Sequence, residues 1–309
     1  DFARGLLTFD GHALQDGFRK PLAQAPIPEN GSELLFACGG NLLVRRHSFL
    51  DAGGFDEDFF AYYEDVDLGW RLWSGGERIL FARNAVIRHR SSATSDLLGL
   101  YNRGFLFERN AFLTAYKNYQ AGWWERMLPA VLMTFLARSQ ALLVQNNPHG
   151  VSLALDPYAG FIADTAPAGS SRPASTPAPE IWREKWRRMG FGEFLWRGAR
   201  HGWRALVGSG SGPAAAPAYP EIRDERTIAQ IRAWSYILGH LERSAGKRAA
   251  IQARRRRPDA EIFSRFPLHL VATYPGDEAL FANAGFRAWL PADVPLVERQ
   301  LEEIVARSH

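Results

Sequence analysis

Three carboxylates lie close together in FFAYYEDVDLGWRLWSGG, the segment from residue 59 to residue 76. Glu64, Asp65 and Asp67 follow an aromatic run, and the residue pattern becomes helical from Glu64 onward. Acidic side chains at a helix start commonly only interact with the helix dipole, which is worth about 0.3 to 1 kcal/mol each. A carboxylate walled by aromatic rings can instead have a raised pKa and act as a general base. The aromatic run favours this catalytic interpretation.

A second candidate is His89, near the end of a predicted short strand. It is flanked by Arg88 and Arg90 and followed by hydroxyl side chains that include Ser92. A lone histidine is more often structural, but a neutral imidazole suits a divalent metal, whereas arginine and hydroxyl groups suit phosphate oxygens. A helix and two short strands separate Asp65 from His89, which is enough chain to bring both to one sheet edge. Together they predict a base, a metal ligand and a phosphate clamp.

The elements that must position these residues are short and rich in glycine. ELLFACGGNLLVRR predicts a buried strand with a close backbone or ligand approach at Gly39 and Gly40. HSFLDAGGFDEDFF predicts a short helix that ends at its Gly-Gly pair. The helix that begins at Glu64 should stop at the Gly-Gly pair after Ser74. RILFA and AVIRH predict two further short strands.

Beyond residue 95 the apolar period changes to that of amphipathic helices, which continue to residue 145. Two segments rich in Pro, Ser, Ala and Gly predict linkers on either side of a basic, Trp- and Arg-rich helix. Helical patterns at 223–245 and 294–307 flank a piece that contains LHLVATYP. The predicted regions are the catalytic core at 1–95, a helical subdomain at 96–163, a linker at 164–180, the basic helix at 181–206, a linker at 207–220 and a mainly helical region at 221–309.

Composition limits the class of protein. The chain has 309 residues, 46% of them apolar and 23% charged, which fits a globular protein of about two domains. The net charge of +4 is concentrated in local runs such as KRAAIQARRRR, for which a solvated helix face is favoured over a nucleic-acid or membrane surface. Cys38 is the single cysteine, which excludes an internal disulfide and a thiolate zinc cluster. The apolar stretch at 127–145 is too short and polar to predict a membrane span, although an interfacial helix stays open.

The ordered series of motifs from Cys38 to Ser95 resembles the C-terminal half of the catalytic domain of family 2 glycosyltransferases. The similarity is strongest to bacterial rhamnosyltransferase-like members with the GT-A fold. The matching residues are Gly39, Gly40, Asn41, Gly53, Gly54, Phe55, Asp56, Glu57, Glu64, Asp65, Asp67, Leu68, Arg71 and His89. FERNAFLTAYKNY also looks like the helix that often follows the core in these enzymes. The resemblance covers roughly residues 1–135, whereas residues 180–309 match no family that we can name.

The resemblance implies an α/β fold class, with the C-terminal half of a GT-A core, a Rossmann-like mixed sheet, followed by a mostly helical extension. It implies that Asp65 is the catalytic base of an inverting transfer from a nucleotide sugar. His89 would bind the divalent cation, Mg²⁺ or Mn²⁺, that holds the leaving diphosphate. Arg88, Arg90 and Ser92 are weaker candidates for diphosphate contacts. The implied acceptor-binding residues are Glu64, Asp67, Trp70, Arg71, Gly40 and Asn41, although tryptophans at helical spacing, such as Trp70 and Trp73, are more often core.

One departure from the family pattern is large. The nucleotide-binding βαβ unit and the metal-binding Asp-x-Asp motif are not visible in the sequence. Asp65-Val66-Asp67 and Asp56-Glu57-Asp58 both fit Asp-x-Asp as text, yet each belongs to a different family motif. We expect the missing half to precede Asp1, with no signal peptide visible, so that the chain alone lacks most of the nucleotide site and is inactive.

The leading hypothesis is a metal-dependent glycosyltransferase of the hexosyl or rhamnosyl type that acts in cell-envelope polysaccharide synthesis. Its expected partners are a dTDP- or UDP-sugar, a glycan or lipid-linked acceptor and an anionic membrane surface, but no nucleic acid. Its expected location is the cytoplasm, at the inner face of the plasma membrane. Two alternatives stay open. One is a non-catalytic membrane- or anion-binding module, and the other is a metal-dependent hydrolase that uses the Asp cluster.

Overall fold

The computed structural model describes residues 4–87, 99–146, 222 and 224–306. These residues belong to one compact unit, and residues 153–221 are assigned to a second unit. The elements of the described unit, in chain order, are β1 (Arg4–Leu7), β2 (Ala13–Asp16), α1 (Arg46–Asp51), α2 (Glu64–Ser74), α3 (Gly99–Asn118), α4 (Ala121–Asn146), α5 (Glu225–Gly239), α6 (Leu241–Arg254), α7 (Asp259–Arg265), β3 (Leu268–Leu270), α8 (Asp277–Phe281), α9 (Ala284–Arg287), β4 (Leu296–Glu298) and α10 (Leu301–Ile304). The molecule is therefore mixed α/β and rich in helix. The basic helix predicted at 181–206 and both predicted linkers lie outside the described residues.

The sheets are small. β1 and β2 form an antiparallel hairpin in which Arg4 pairs with Asp16, and β3 pairs in parallel with β4. A single bridge from Thr8 to His269 places the hairpin beside β3. A second single bridge joins Glu33 to Leu80. Within the described residues these pairings do not form the continuous mixed sheet that the resemblance implied.

The segment 33–46 is not the continuous strand that its apolar run predicted. Apart from the Glu33 bridge it is irregular, and Gly39–Asn41 form a turn of 3₁₀ helix in which Asn41 N donates to Cys38 O over 2.9 Å. Two adjacent glycines favour such a turn because they have no side chains to pack in a strand. RILFA pairs antiparallel with residues 31–34, because Leu34 N donates to Ile79 O over 2.9 Å and Phe81 N donates to Ser32 O over 2.8 Å on either side of the bridge at Leu80. The predicted strand is therefore present only as a short pairing. AVIRH lies partly outside the described residues.

The helical predictions around the candidate site are confirmed. Helix α1 ends at Asp51, and Gly53 and Gly54 then adopt φ values of 89° and 67°, which side chains disfavour. Helix α2 ends at Ser74 before Gly75 and Gly76. The predicted amphipathic helices after residue 95 are present as α3 and α4. By contrast, the helix predicted at 294–307 is only α10, preceded by β4, because Pro295 and the parallel pairing with β3 take up the first residues.

Helix α4 is long and apolar enough to cross a membrane by length and composition, which no other helix of the described residues is. One third of its most apolar window is buried inside the protein. Its Arg138 is 3% exposed and forms ion pairs with Asp10 at 2.9 Å and Asp277 at 2.7 Å. These contacts pack one face of α4 against the rest of this unit, while side chains such as Leu136 are exposed.

The C-terminal helices pack back onto the first part of the chain. Helix α3 contacts both α5 and α6, and α7 contacts α2. The basic run at 247–257 is only partly solvated, contrary to prediction, because Lys247 pairs with Asp56 and Asp58. Arg257 Nη1 donates to the carbonyl oxygens of Trp73 and Glu77 at the C-terminal end of α2. Several of these cations therefore join the C-terminal region to α2 and the loop before it.

Candidate active site

Helix α2 is pressed against the segment 34–36. A Cβ atom on Gly69 would lie 2.4 Å from Phe36 Cβ and 2.8 Å from Leu35 O, so glycine is required for this approach. Trp73 Nε1 donates to Leu34 O over 2.8 Å on the same side of the helix. These contacts fix the helix one turn after Asp65 and bring its first turn to the Gly39 turn.

Asp65 is held by two backbone amides. Its Oδ2 accepts a hydrogen bond from Gly39 N at 2.9 Å, and its Oδ1 accepts one from Val66 N at 2.8 Å. Burial raises the pKa of Asp65, while these two N–H groups act in the opposite direction. The result is an oriented, half-buried carboxylate with a raised pKa, which are properties that a general base needs.

Glu64 shares the Gly39 turn with Asp65. A Cβ atom built on Gly39 would lie 3.6 Å from Asp65 Cβ and 3.8 Å from Glu64 Oε1, so both carboxyl groups flank this glycine. Burial raises the pKa of Glu64, and the neighbouring Asp65 charge adds to the rise. Glu64 Oε2 is buried and has no hydrogen-bond partner among the described residues. An unpartnered acceptor beside a candidate base is free to accept a hydrogen bond from a hydroxyl of a bound ligand.

Asp67 points to the interior. It is fully buried, and its Oδ1 lies 3.0 Å from Lys117 Nζ and accepts from Asn118 Nδ2 at 2.8 Å. Its Oδ2 pairs with Arg71 Nη2 at 2.7 Å. Arg71 in turn donates to the carbonyl oxygens of Ala52 and Gly54. The charges of Asp67 and Arg71 fasten α2 to α3 and to the turn after α1, so this arrangement gives no support to their predicted contact with the acceptor.

Trp70 is also an interior residue. Its ring is fully buried between Tyr119 and Phe263, with edge contacts at centroid distances of 4.7 and 5.2 Å. Its Nε1 donates to Asp259 over 3.2 Å. The expectation that tryptophans at helical spacing are core residues therefore describes Trp70 correctly, and its predicted stacking on a sugar has no support in this arrangement.

The loop before α2 has an unusual backbone. Three residues that are not glycine, Phe60, Tyr62 and Tyr63, have positive φ values of 62°, 66° and 69°. Each such conformation costs free energy and persists only where surrounding contacts enforce it, which is common at functional sites. Phe59 and Tyr63 turn inward, whereas Phe60 is 72% exposed. The loop thus presents one aromatic ring to solvent beside the first turn of α2.

Helix α3 enforces this loop conformation. Asn110 Nδ2 donates to the carbonyl oxygens of Phe59, Ala61 and Tyr62 at 3.1, 2.8 and 2.7 Å. Arg109 Nη2 donates to Phe59 O over 2.9 Å. One side-chain amide and one guanidinium group therefore donate hydrogen bonds to the backbone carbonyls of the strained segment.

These positioning residues were missed as site residues. Arg109, Asn110, Lys117 and Asn118 occur in FERNAFLTAYKNY, which the sequence identified only as family-like. Their signal is the spacing of seven or eight residues between the two polar pairs, which puts them on one face of a helix. A buried polar face on an otherwise apolar helix indicates that it holds backbone or charged groups of another element.

The turn predicted to contact the acceptor lies at the surface. Gly40 and Asn41 are exposed, and Asn41 Nδ2 donates to Ala85 O over 2.8 Å. The turn therefore offers solvent-facing backbone next to Asp65. Of the other predicted site residues, Arg88, His89, Arg90 and Ser92 lie outside the described residues.

The carboxylates of the described residues do not assemble a divalent-cation site. Within those residues there is no group of three His, Cys, Asp or Glu side chains placed to hold a metal ion. Asp56 and Asp67 are neutralised by Lys117 and other cations, which leaves Glu64 and Asp65 as the available pair. Mg²⁺ prefers six oxygen ligands in near-octahedral geometry, so this pair would need ligands from elsewhere.

The chain is similar to a known enzyme over part of its length. Over 115 residues it is 34% identical to the N-acetylglucosaminyl-diphospho-decaprenol L-rhamnosyltransferase of Mycobacterium tuberculosis, in strains CDC 1551 / Oshkosh and ATCC 25618 / H37Rv. The match covers 35% of this chain and 35% of each relative, so it spans about a third of the curated relatives' length. No protein-family model and no solved structure matches the chain. The partial similarity supports a glycosyltransferase-like family, in agreement with the motifs around Asp65.

Proposed function

We propose that the chain carries the acceptor and catalytic half of an inverting glycosyltransferase of family 2, with a GT-A core completed by a nucleotide-binding half. The observation that carries the proposal is the Asp65 carboxylate, oriented by Gly39 N and Val66 N at the start of α2 and given a raised pKa by burial. The partial similarity to a rhamnosyltransferase supports the same class of reaction.

Asp65 would take the proton from an acceptor hydroxyl while that oxygen attacks the anomeric carbon of the donor sugar. The bond from that carbon to the nucleotide diphosphate breaks in the same step, so the configuration inverts and the diphosphate leaves with the bonding electrons. A raised pKa makes Asp65 a stronger base than an ordinary carboxylate. Glu64, with its unpartnered Oε2, would accept a hydrogen bond from a second acceptor hydroxyl.

The donor side of the proposal depends on residues beyond the described ones. His89 with Mg²⁺ or Mn²⁺, and Arg88, Arg90 and Ser92, would receive the diphosphate of a dTDP- or UDP-sugar. A bound divalent cation would supply charge stabilisation of the leaving diphosphate. The acceptor would be a glycan or a lipid-linked sugar, since the partial relative is named for an N-acetylglucosaminyl-diphospho-decaprenol acceptor. With such an acceptor, the reaction would take place at the inner face of the plasma membrane.

The hydrolase alternative receives less support. It requires the Asp cluster to bind the metal, yet Asp67 uses one oxygen for Lys117 and Asn118 and the other for Arg71. A carboxylate that is fully buried and neutralised in this way has no free oxygen to offer a cation. Two carboxylates remain at the surface turn, which suits a base and a hydrogen-bond acceptor better than a metal cluster.

The test compares Asp65→Asn with Glu64→Gln in the full-length natural protein. Both changes remove one carboxylate charge at the same turn. We expect Asp65→Asn to lower kcat by at least about a thousandfold, because loss of a general base costs about 10² to 10⁴ in rate. Binding of the sugar nucleotide should stay nearly unchanged. Transfer of labelled sugar from dTDP-rhamnose to diphosphate-linked N-acetylglucosamine, together with calorimetric donor binding, measures both quantities.

Glu64→Gln should reduce kcat by about tenfold, the effect of one lost hydrogen bond to the acceptor. Substantial turnover by Asp65→Asn, or a greater loss in Glu64→Gln, would remove Asp65 from the role of base. In the wild type, kcat/KM should fall on acidification through the raised pKa of Asp65.

A further inference from the structure

A second site lies at the far end of α2 from Asp65. A cavity of about 530 Å³ opens between the start of α4 and the end of α6, and four arginines line it. They are Arg248, Arg255, Arg256 and Arg257, and we call this the arginine cavity. The backbone N–H groups of Arg256 and Arg257 donate to Ser74 O, the last residue of α2. Since Asp65 is in the first turn of this 11-residue helix, about 15 Å separates the cavity from the candidate active site.

The charge around the arginine cavity is positive. Arg255 Nη1 pairs with Asp259 Oδ1 at 2.9 Å, and Arg257 Nε pairs with Glu261 Oε1 at 3.0 Å. Asp259 is fully buried and directs its second oxygen to Gln120 N at 2.6 Å. The opposing carboxylates are Asp259, Glu261 and the nearby Glu125, so the four arginines exceed them.

Arg256 is the arginine of the cavity whose charge has no anionic partner among the described residues. Its backbone N donates to Ser74 O at 2.7 Å, and its aliphatic stem lies over Gly76. Its guanidinium group forms no hydrogen bond or ion pair with any of the described residues. Arg248 and Arg255, by contrast, donate to the carbonyl oxygens of Tyr116 and Asn118 and are held rigidly. The cavity thus combines fixed arginines with one whose N–H donors are free.

The start of α4 adds to the positive potential. Ala121 and Gly122 line the cavity and form the first turn of this 26-residue helix, whose N–H groups have no partner within the helix. A Cβ atom on Gly122 would meet nothing within 4 Å, so the space in front of the backbone is open. Helix N-termini and arginine forks both favour phosphate oxygens.

We propose that the arginine cavity binds a phosphate or diphosphate group. The volume admits such a group with its substituent, the donors come from the start of α4, from α6 and from the segment after α6, and the excess charge matches an anion. The source is either a free phosphate-bearing molecule or the headgroup of an anionic lipid. This site goes beyond the proposed glycosyl transfer and does not depend on it, because Asp65 takes no part in it.

The experiment measures pyrophosphate binding by calorimetry and vesicle binding by co-sedimentation, using the whole 309-residue chain. The vesicles contain phosphatidylcholine with or without phosphatidylglycerol. Arg256→Ala removes the free guanidinium, and Arg254→Ala is the matched control from the same run that does not line the cavity. We expect Arg256→Ala to weaken binding by about tenfold, the effect of a lost charged hydrogen bond, and Arg254→Ala to have little effect.

Each outcome decides the proposal. Pyrophosphate binding that Arg256→Ala weakens and Arg254→Ala does not supports a free phosphate ligand. The same contrast confined to phosphatidylglycerol vesicles supports a lipid headgroup. No saturable binding of either probe, or equal loss in both variants, overturns the proposal. Circular dichroism of both variants checks that the fold is retained, and since Arg256 is exposed with no side-chain partner among the described residues, we expect it to be.

Discussion

Two aspartates two positions apart have opposite environments. Burial raises the pKa of Asp65, which faces the Gly39 turn. Burial alone would raise the pKa of Asp67 too, but Lys117 and Arg71 outweigh it and lower that pKa. Ionisation of Asp65 therefore costs free energy, which suits a base, whereas Asp67 is an anion that stabilises the structure.

Asp67→Asn should therefore destabilise the fold rather than affect the chemistry directly. We expect a loss of about 3 kcal/mol in the free energy of unfolding, because removing one partner of a buried ion pair leaves other charges uncompensated. The lowered pKa of Asp67 means that its stabilisation is full above about pH 4, the unfolded value, and is lost as pH falls further. Urea unfolding at neutral and acidic pH measures both effects.

The matched control is Asp293→Asn, which removes an exposed carboxylate paired with Arg126 at 2.6 Å. Exposed pairs contribute roughly 0 to 1 kcal/mol, so this change should be nearly silent. Equal effects of the two substitutions would show that Asp67 does not anchor α2.

The role of Asp65 as a base stays a prediction of the sequence, but the sequence did not predict the separation of its neighbours. Glu64, Asp65 and Asp67 all stand at a helix start, and their shared acidity suggested a shared pocket. Helical geometry turns Asp67 to the side that contacts α3, and the partners Lys117 and Asn118 are about 50 residues further along the chain. Contacts at that separation are set by tertiary packing, which local patterns do not contain.

At the scale of elements, α3 is the support of the candidate site. Its Asn110 holds three carbonyl groups of the strained loop before α2, and its Lys117 pairs with Asp56 and Asp67. Strain of this kind is maintained only while the surrounding contacts outweigh its cost. The loop and the first turn of α2 should therefore relax together when α3 loses its donors.

Asn110→Asp tests this role because the new side chain has nearly the same shape but no N–H donors. We expect about 1 to 3 kcal/mol of lost stability, the cost of unsatisfied buried polar groups, and a kcat reduced by more than tenfold as Asp65 loses its orientation. Thermal unfolding and the sugar-transfer assay measure the two effects.

Thr114→Val is the control on the same helix, one turn later. Thr114 is buried, and its hydroxyl has no hydrogen-bond partner among the described residues. Its replacement by an apolar group of similar shape should be neutral or slightly stabilising. Unchanged activity in Asn110→Asp would argue against α3 as the support of the loop.

The helices of this region could be predicted from sequence more completely than the strands. Periodicity and terminal glycines predict helices α1 and α2, and both are local signals. The strand predicted across Gly39 is not continuous because pairing with residues 79–81 stops at Leu34 and the chain turns at Gly39–Asn41. The lack of a side chain at Gly69 lets α2 lie directly on the backbone at Leu35.

At the scale of the whole molecule, a buried charge cluster joins the two ends of the described chain. His12 lies 3.1 Å from Asp10 and 3.3 Å from Glu108, while Arg138 pairs with Asp10 and Asp277. Tyr63 and Tyr274 also face this cluster. Burial alone would lower the pKa of His12, but the neighbouring carboxylates outweigh it and raise the pKa to about 9.

The stability of the molecule should consequently decrease from about pH 6.5 to about pH 9. A histidine whose folded pKa is raised contributes fully below its unfolded value, and the contribution is lost as pH rises through the folded value. The shift corresponds to about 3 kcal/mol. Urea unfolding across this interval measures the slope.

His12→Gln should be less stable at the lower end of the interval and should lose this slope, whereas His47→Gln, at an exposed position, should keep it. The buried His269 does not interfere, because its pKa is lowered to about 4 and its effect lies below pH 6.5. A slope that survives in His12→Gln would assign the pH dependence to another group.

The ion pairs of Lys247 with Asp56 and Asp58 have a consequence for the order in which contacts form during synthesis. The partners are 191 and 189 residues apart, so the loop before α2 is synthesised long before the cation that completes its neutralisation. The hydrogen bond from Trp70 Nε1 likewise cannot form until Asp259, 189 residues further along the chain, has been synthesised. Contacts of this sequence separation form late and leave earlier segments exposed during translation. The loop before α2 and the ring of Trp70 should therefore reach their final contacts only after residues 247–259 have been synthesised.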